Sequence, residues 1–259
     1  MLELPRLYLN GFPKSGLHLS ELMVGSLYEP MRKAHNWLGT NPWDTEMINI
    51  EKLPVLACME KNQFIKGHSG WTQDLEDMLV GLQIGMVMVY RDLRDVVVSQ
   101  AYHILSDDER LKHPSRDMYP DDLHEVMKMV ITGVGDKDGI FARWDTYQPW
   151  LSKSWVLPVK YEDMIKRPEK VVKQFYLYGY SLELAHNGID EIKISADSKN
   201  QICNMIVSQM RRKDTITYRK GKTKQWRYEF DKEIIDLFKK HDKNNVLMQL
   251  EFEKNKDWH

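Results

Sequence analysis

The sequence predicts an α/β protein with three layers, in which helices cover both faces of a mostly parallel central sheet. Short apolar runs alternate with helix-like stretches along the chain, which is the pattern of β-α-β units. One run, residues 84–90 (IGMVMVY), is apolar throughout, as expected for a strand buried on both faces of a parallel sheet. No internal repeat or Ser/Gly-rich linker divides the 259 residues, so we expect one domain over residues 1–259.

The elements of the first third follow from local pattern. An apolar run that begins at Leu7 predicts the first strand, and residues 17–28 predict a helix behind a glycine turn. Residues 28–49 show little periodicity and are predicted to be irregular. Residues 63–66 predict a short strand, and Thr72 is a typical N-cap for a helix that ends near residue 82.

The later elements are predicted in the same way. A helix over residues 96–105 follows the buried strand, and the acidic, proline-containing residues 106–120 predict a loop. Further helices are predicted over residues 121–131, 140–151, 168–178, 199–209 and 231–241, and a strand over residues 155–160. Proline at position 168 suits a helix start. Residues 211–227 form a basic run without periodicity.

Composition limits the classes of function. Apolar residues make up 42% of the chain and charged residues 29%, which fits a folded core rather than disorder. The formal net charge of −1 argues against broad nucleic-acid binding, so any anion site must be local. Cys58 and Cys203 lie far apart without ligand-like spacing, and neither a signal peptide nor a membrane-length apolar run is visible. We therefore expect a cytoplasmic protein with no membrane span.

The first strand ends in a glycine-flanked turn, residues 11–16 (GFPKSG), and a helix follows. Such a strand–loop–helix unit binds anions, because backbone N–H groups converge at the helix N-terminus and Lys14 adds a full charge. The glycine spacing is that of a P-loop, but Leu17 and His18 replace the Lys and Ser/Thr that should come next. The loop is therefore P-loop-like, and the replacement weakens a kinase or ATPase interpretation.

Other polar residues end the later strands or directly follow them, namely Lys66, His68, Arg91 and Tyr161. Ligands of open parallel sheets bind beyond the carboxyl ends of the strands, so we expect these residues to meet at one edge. Arg91 provides a forked guanidinium group, and Ser99, early in the next helix, provides a hydroxyl. Both groups suit a phosphate. Arg94 is expected to form a surface ion pair with Asp92 or Asp95.

Together these motifs resemble those of sulfotransferases that use 3′-phosphoadenosine 5′-phosphosulfate (PAPS). Residues 11–16 resemble the family's 5′-phosphosulfate loop, and residues 90–103 (YRDLRDVVVSQAYH) resemble its 3′-phosphate motif. Residues 159–164 (VKYEDM) match a strand end of the family. Residues 219–221 (RKG), with Trp226 and Arg227, resemble its C-terminal loop. The motifs occur in family order, which implies the sulfotransferase fold over most of the chain.

The resemblance also implies a role for each matched residue. The catalytic residues would be His68 as general base, Lys14 and Lys66, with Glu60 as an alternative base. The residues that bind PAPS and its product PAP would be Pro13, Lys14, Ser15, Gly16, Leu17, His18, Arg91, Ser99, Tyr161, Arg219, Lys220 and Gly221. The loop would hold the 5′-phosphosulfate, and Tyr161 would lie near the adenine. The 3′-phosphate would be held by Arg91, Ser99, Arg219, Lys220 and Gly221.

The chemistry suits these residue types. An acceptor hydroxyl needs a base during its attack, and a histidine is well matched to that task. Lys14 and the loop N–H groups would stabilise the charge that builds on the leaving phosphate, so no metal is expected. The acceptor is expected to be a small molecule or a carbohydrate, and Trp37, Trp43 and Trp144 would suit an aromatic, lipid-like or sugar acceptor.

The chain departs from the family pattern in three places. Ser69-Gly70 follows His68 where the family commonly has an apolar residue and a proline. Leu17, His18 and Leu19 replace two hydroxyl residues and an aromatic that packs on the adenine, and Lys224-Gln225 replaces Gly-Asp before Trp226. Two alternatives therefore stay open: a catalytically impaired module that binds PAP or PAPS, and a P-loop kinase. The oligomeric state is also open.

Overall fold

The computed structural model describes residues 5–27, 32–33, 38–39, 54–61, 63–106, 113, 115–187 and 222–259. Its main sheet has six strands, all parallel, and a two-stranded antiparallel hairpin lies apart from it. The strands of the main sheet are β1 (Leu7–Gly11), β2 (Arg32–Lys33), β3 (Leu38–Gly39), β4 (Gln63–His68), β5 (Gly85–Tyr90) and β8 (Val156–Lys160). The hairpin consists of β6 (Gly133–Val134) and β7 (Lys137–Asp138).

The helices lie between and after these strands. They are α1 (Leu17–Leu27), α2 (Pro54–Ala57), α3 (Gln73–Gly81), α4 (Leu93–Ile104), α5 (Leu123–Thr132), α6 (Ile140–Tyr147), α7 (Tyr161–Lys166), α8 (Pro168–Asn187), α9 (Trp226–Glu229), α10 (Lys232–His241) and α11 (Val246–Gln249). Short 3₁₀ turns occupy Arg116–Met118 and Gln148–Ser152. Within the described ranges, no helix is long and apolar enough to cross a lipid bilayer.

Helices cover the sheet on both faces, because its strand residues alternate between two apolar clusters. Tyr8, Ile65 and Met88 face a cluster that includes residues of α3, α4, α5 and α6. Leu9 and Val87 face the other cluster, which includes residues of α1, α7 and α8. All six residues of β5 are buried, as its apolar sequence predicts. The three-layer, mostly parallel arrangement is thus confirmed.

The strand order is β2-β4-β1-β5-β8, with β3 also paired to β4. After β1 the chain builds one side of the sheet through β4, and then crosses to the other side with β5 and β8. The carboxyl ends of β4, β1 and β5 are therefore adjacent at the point where the strand order reverses. Ligands of open α/β sheets bind at such a point. The glycine loop leaves β1 there.

Several boundaries differ from the sequence-based expectation. Helix α4 begins at Leu93 rather than near residue 96, because the Asp92 side chain accepts a hydrogen bond from Arg94 N and caps the helix. Helix α6 ends at Tyr147, one residue before the 3₁₀ turn that contains Pro149. Helix α7 and the β6–β7 hairpin are too short to show a period in sequence.

Some predictions fall on residues that the structure does not describe. These are the helix over residues 199–209, the basic residues Arg219 and Lys220 with Gly221, and the tryptophans Trp37 and Trp43. Two short strands, β2 and β3, lie within residues 28–49, so the prediction of an irregular segment was wrong there. Their pairing with β4 depends on a partner that is distant in sequence.

Arg94 forms the expected pair with Asp92, but inside the protein and not at the surface. Its Nη2 lies 2.7 Å from Asp92 Oδ2, its Nη1 lies 2.6 Å from Glu253 Oε1, and only 2% of its side chain is exposed. Its Cζ lies 3.9 Å and 4.5 Å from the ring centroids of Trp226 and Trp258. The guanidinium is therefore held by two carboxylates and two indole rings, and it ties α4 to the C-terminal segments.

The Arg94→Met variant should be strongly destabilised, because it leaves two carboxylates without their buried cationic partner. We expect the free energy of unfolding to fall by about 3–5 kcal/mol in urea titrations. Arg167→Met is the matched control, since the Arg167–Asp163 pair is of similar length but Arg167 is 59% exposed. The control should change stability by no more than about 1 kcal/mol. Equal losses in both variants would contradict the buried role of Arg94.

Candidate functional site

Arg91, the first residue after β5, joins segments that are far apart in sequence. Its Nη1 donates to Lys14 O of the glycine loop at 3.4 Å, and its Nη2 donates to Lys222 O at 3.0 Å. Nη2 also lies 3.4 Å from Asp95 Oδ2 in α4, and Cζ lies 4.3 Å from the centroid of the Tyr161 ring. One buried guanidinium thus contacts the glycine loop, α4, α7 and the C-terminal segment.

The glycine loop is held in a shape that requires Gly16. Lys14 has φ 63° and Gly16 has φ 94°, both in the left-handed region that favours glycine. A Cβ at Gly16 would lie 2.4 Å from Tyr161 Cδ2, so the tyrosine ring packs directly on the loop backbone. Ser15 N donates to Phe12 O at 3.1 Å and closes the turn. The loop leads straight into α1 at Leu17.

Two buried polar atoms of the site have no hydrogen-bond partner among the described residues. They are Ser15 Oγ in the loop and Arg91 Nε beside it. Buried hydroxyl and guanidinium groups are normally satisfied, so their donors suit the oxygen atoms of a bound anion. The first N–H groups of α1 add to them, because they have no partner within the helix.

The two leucines that depart from the family pattern both pack inward. Leu17 is 4% exposed and lies in the apolar cluster under α1, and Leu19 packs against the same cluster. The Leu17 side chain is therefore turned away from the loop surface, and its backbone N–H is the group that remains available to a ligand. His18, between them, is exposed.

His68 lies at the end of β4 beside the start of the loop. Its Nδ1 donates to Gly11 O at 2.5 Å, which leaves Nε2 as the proton acceptor of the neutral ring. Burial lowers the pKa of His68 to about 4; the Gly11 hydrogen bond opposes this, and His18, Lys14 and Lys66 lower it further. The imidazole is therefore neutral at pH 7 and able to accept a proton.

Lys66 lies two residues before His68 and points to the same sheet face, where α1 packs. Its Nζ donates to Glu21 Oε2 at 2.5 Å and lies 3.5 Å from His18 Nδ1. The alternative base, Glu60, precedes β4 and interacts with Gln63 at the strand's opposite end. Glu60 is therefore not placed to act with Lys14 or the loop.

Asn10 fixes the backbone just behind His68. Its Nδ2 donates to Ser69 O at 2.8 Å, and its Oδ1 accepts from Ser69 N at 2.8 Å. Tyr8 Oη lies 2.5 Å from Ser69 Oγ, and Trp150 Nε1 donates to Ser69 O at 3.1 Å. Asn10 was not among the residues predicted from the sequence. An asparagine inside an otherwise apolar strand was the available signal, since a buried amide needs partners.

Asp95 fixes the C-terminal segment. Its carboxylate accepts from Lys224 N at 2.7 Å and from Trp226 N at 3.0 Å, in addition to its contact with Arg91. Ser99 lies one turn further along the same face of α4 and is partly exposed. From the sequence, Asp95 was predicted only as a partner for Arg94. The four-residue spacing from Arg91 to Asp95 to Ser99 is the signal that this prediction did not use.

The structure brings most of the predicted residues to one sheet edge in two groups. The group on one side of the loop consists of Lys14, Gly16, Arg91 and Tyr161. The group on the other side consists of His18, Lys66 and His68. Pro13 and Ser15 are buried in the loop itself. Trp144 is fully buried and packs edge-on against Phe12, so it does not face an acceptor. Arg219, Lys220 and Gly221 lie outside the described residues.

Comparisons with known proteins gave a match to one family model and matches to solved structures of similar fold. A family model described as a sulfotransferase domain matches residues 5–250. The fold is similar to that of mouse sulfotransferase SULT7A1, crystallised with PAP, with a TM-score of 0.63, 17% identity, and coverage of 92% of this chain and 82% of that one. No curated protein matches the sequence at a significant level.

Retinol dehydratase has a similar fold as well. Its complex with androsterone and inactive cofactor PAP gives a TM-score of 0.60 at 16% identity, covering 93% of this chain and 80% of that one. Its complex with retinol and PAP gives the same score and identity, covering 95% and 82%. These identities are low, so the likeness concerns the fold.

The buried imidazole of His68 predicts a pH dependence of stability. Its pKa is about 4 in the folded protein, against an ordinary value of 6.5. Between these values the unfolded chain binds a proton that the folded protein does not, so the free energy of unfolding should fall as the pH falls from 6.5 to 4. In urea titrations over this range, His68→Gln should show a smaller fall than the unmodified protein.

Other histidines do not obscure this comparison. Burial also lowers the pKa of His103, to about 3, but His103 is present in both proteins and contributes equally to both slopes. Identical slopes for the two proteins would contradict the assignment of a buried, neutral His68.

Proposed function

Because this chain belongs to the sulfotransferase domain family, we propose that it transfers a sulfuryl group from PAPS to a hydroxyl of a small-molecule or carbohydrate acceptor. One observation carries the proposal: the Arg91 guanidinium joins the glycine loop, α4, α7 and the segment that follows residues 219–221. Four distant motifs therefore meet at the sheet edge where α/β proteins bind their ligands.

The residues around the loop suit a doubly phosphorylated adenosine. Lys14, Ser15 and the first N–H groups of α1 would hold the 5′-phosphosulfate, with Pro13 and Gly16 shaping the loop and His18 at its rim. Arg91 and Ser99 would hold the 3′-phosphate together with Arg219, Lys220 and Gly221. Tyr161, packed on Gly16 and Arg91, would lie next to the adenine. PAP is the nucleotide in the solved structures of similar fold.

His68 is the proposed general base. PAPS supplies an activated sulfuryl group with a phosphate as leaving group. Nε2 of His68 would accept the hydroxyl proton as the acceptor oxygen forms its bond to sulfur and the bond between sulfur and the phosphate oxygen breaks. A pKa of about 4 makes the free imidazole a weak base. The negative charge of the bound donor favours the imidazolium and raises this pKa towards neutrality, where a general base works best.

Lys14 is the proposed stabiliser of the leaving group. The electron pair of the broken bond stays on the 5′-phosphate, where charge develops next to the loop. The loop N–H groups are fixed by the backbone before the reaction, so they would stabilise this charge without reorganisation, and Lys14 would add a full positive charge beside them. Their positive charge takes the part that a metal ion would play in other phosphate-binding enzymes, and the proposed reaction includes no metal.

Purified protein should bind PAP in calorimetry and transfer label from labelled PAPS to a member of a panel of alcohols, phenols and sugars. Lys14→Ala should lower the transfer rate by about 10²–10³-fold, because it removes a charge that acts in the transition state. Lys153→Ala is the control, since Lys153 pairs with Glu76 outside the loop and should leave the rate unchanged. No PAP binding and no transfer would overturn the proposal.

His68→Gln tests the base. We expect PAP affinity to stay within the range of the unmodified protein, and the transfer rate to fall by about 10²–10⁴-fold at neutral pH, with a smaller difference at acid pH. The unmodified protein should also lose its rate towards acid pH, as Nε2 becomes protonated. A variant with an unchanged rate across the pH series would place the base elsewhere. Tight PAP binding without transfer by the unmodified protein would instead favour a non-catalytic binding module.

A further inference from the structure

We infer that Glu21 is a positioning residue that holds Lys66 in the absence of donor and competes with the donor's anionic groups for it. The inference rests on the proposed function, because it concerns the same site. Glu21 lies on α1, one turn after the loop, and no motif of the sequence analysis includes it.

The contact between the two side chains is short and largely shielded from solvent. Glu21 Oε2 lies 2.5 Å from Lys66 Nζ, with the side chains 19% and 7% exposed respectively. His18 Nδ1 completes a triangle, at 3.4 Å from the same carboxylate oxygen and 3.5 Å from the ammonium. An ion pair shielded in this way is much stronger than one at the surface.

Lys66 lies at the end of the sheet where the donor's sulfuryl group is proposed to bind. Residues 66 and 68 point to the same face of β4, since side chains of a strand alternate. His68 reaches the first residue of the loop through Gly11 O, and Lys66 reaches His18 in the first turn of α1. The ammonium is therefore next to the N-terminus of α1, where an anion is favoured.

A carboxylate at this position has two opposite effects. It stabilises the donor-free protein, because a buried ammonium without a partner is costly. It also lowers the affinity for an anionic donor, because its negative charge offsets the charge of Lys66 and repels the donor. Removing the charge of Glu21 should therefore weaken the fold and strengthen donor binding. A purely structural ion pair would show only the first effect.

The isosteric variant Glu21→Gln tests this sign difference. We expect the dissociation constant for PAP, measured by calorimetry, to fall about 5-fold or more. In transfer assays the KM for PAPS should fall in the same direction, while the KM for the acceptor stays unchanged. The urea midpoint should decrease.

Glu76→Gln is the matched control. Glu76 forms a similarly shielded pair with Lys153, at 2.6 Å with side chains 13% and 27% exposed, but it lies on α3 and not beside the loop. This variant should lose stability without any change in PAP affinity. An equal tightening of PAP binding in the control would overturn the inference, because the effect would then not depend on Lys66.

A double variant shows whether Glu21 acts through Lys66. In a Lys66→Met background, the Glu21→Gln change should tighten PAP binding much less, since the shared partner is gone and only the direct repulsion of the donor remains to be removed. Tightening of the same size in both backgrounds would overturn the inference.

Measurements of PAP binding distinguish a failure of the Glu21 role from a failure of the proposed function. If the unmodified protein binds PAP and Glu21→Gln binds it equally or more weakly, the role of Glu21 is refuted and the proposed function stands. If the unmodified protein does not bind PAP at all, the proposed function and this inference are both overturned.

Discussion

The guanidinium of Arg91 is the contact on which the rest of the site depends. It reaches back 77 residues to the carbonyl of Lys14 and forward 131 residues to that of Lys222. A planar group with five donors can hold several acceptors in fixed directions, which a lysine at this position could not do. The parallel sheet makes this possible, because it places the ends of β1 and β5 side by side. One side chain can therefore contact both the glycine loop and the C-terminal segment.

Burial gives the site its chemical character. Arg91 lies on one side of the glycine loop and is paired with Asp95, whereas Lys66 and His68 lie on the other side, where Glu21 is the partner of Lys66. Buried basic groups therefore flank the loop where an anion is proposed to bind. The same burial keeps His68 neutral, through its low pKa, and the cations around it act in the same direction. The site is therefore poised to gain both a ligand and a proton: binding an anion would relieve repulsion among the cations and restore the basicity of the imidazole.

The sequence predicted the parts of this arrangement that depend on residues close together in the chain. The apolar residues 84–90, the glycine turn before α1 and the polar residues after each strand were enough to predict a parallel sheet with a shared edge. The pairings of Lys66 with Glu21 and of Arg94 with Glu253 were not predictable, because each joins residues that only the tertiary fold brings together. Arg94 was expected at the surface for the same reason: the indoles that cover it come much later in the chain.

Asp95 holds the C-terminal segment by the N–H groups of Lys224 and Trp226 and not by their side chains. Every residue except proline has a backbone N–H group, so these hydrogen bonds do not depend on which amino acids stand at positions 224 and 226. Lys224 illustrates this, since it adopts φ 60° where the related pattern has glycine, yet the attachment is kept. A hydrogen bond made by the main chain cannot be recognised from the amino-acid types that a sequence alignment compares. It allows the side chains at positions 224 and 226 to change while the C-terminal segment stays attached to α4.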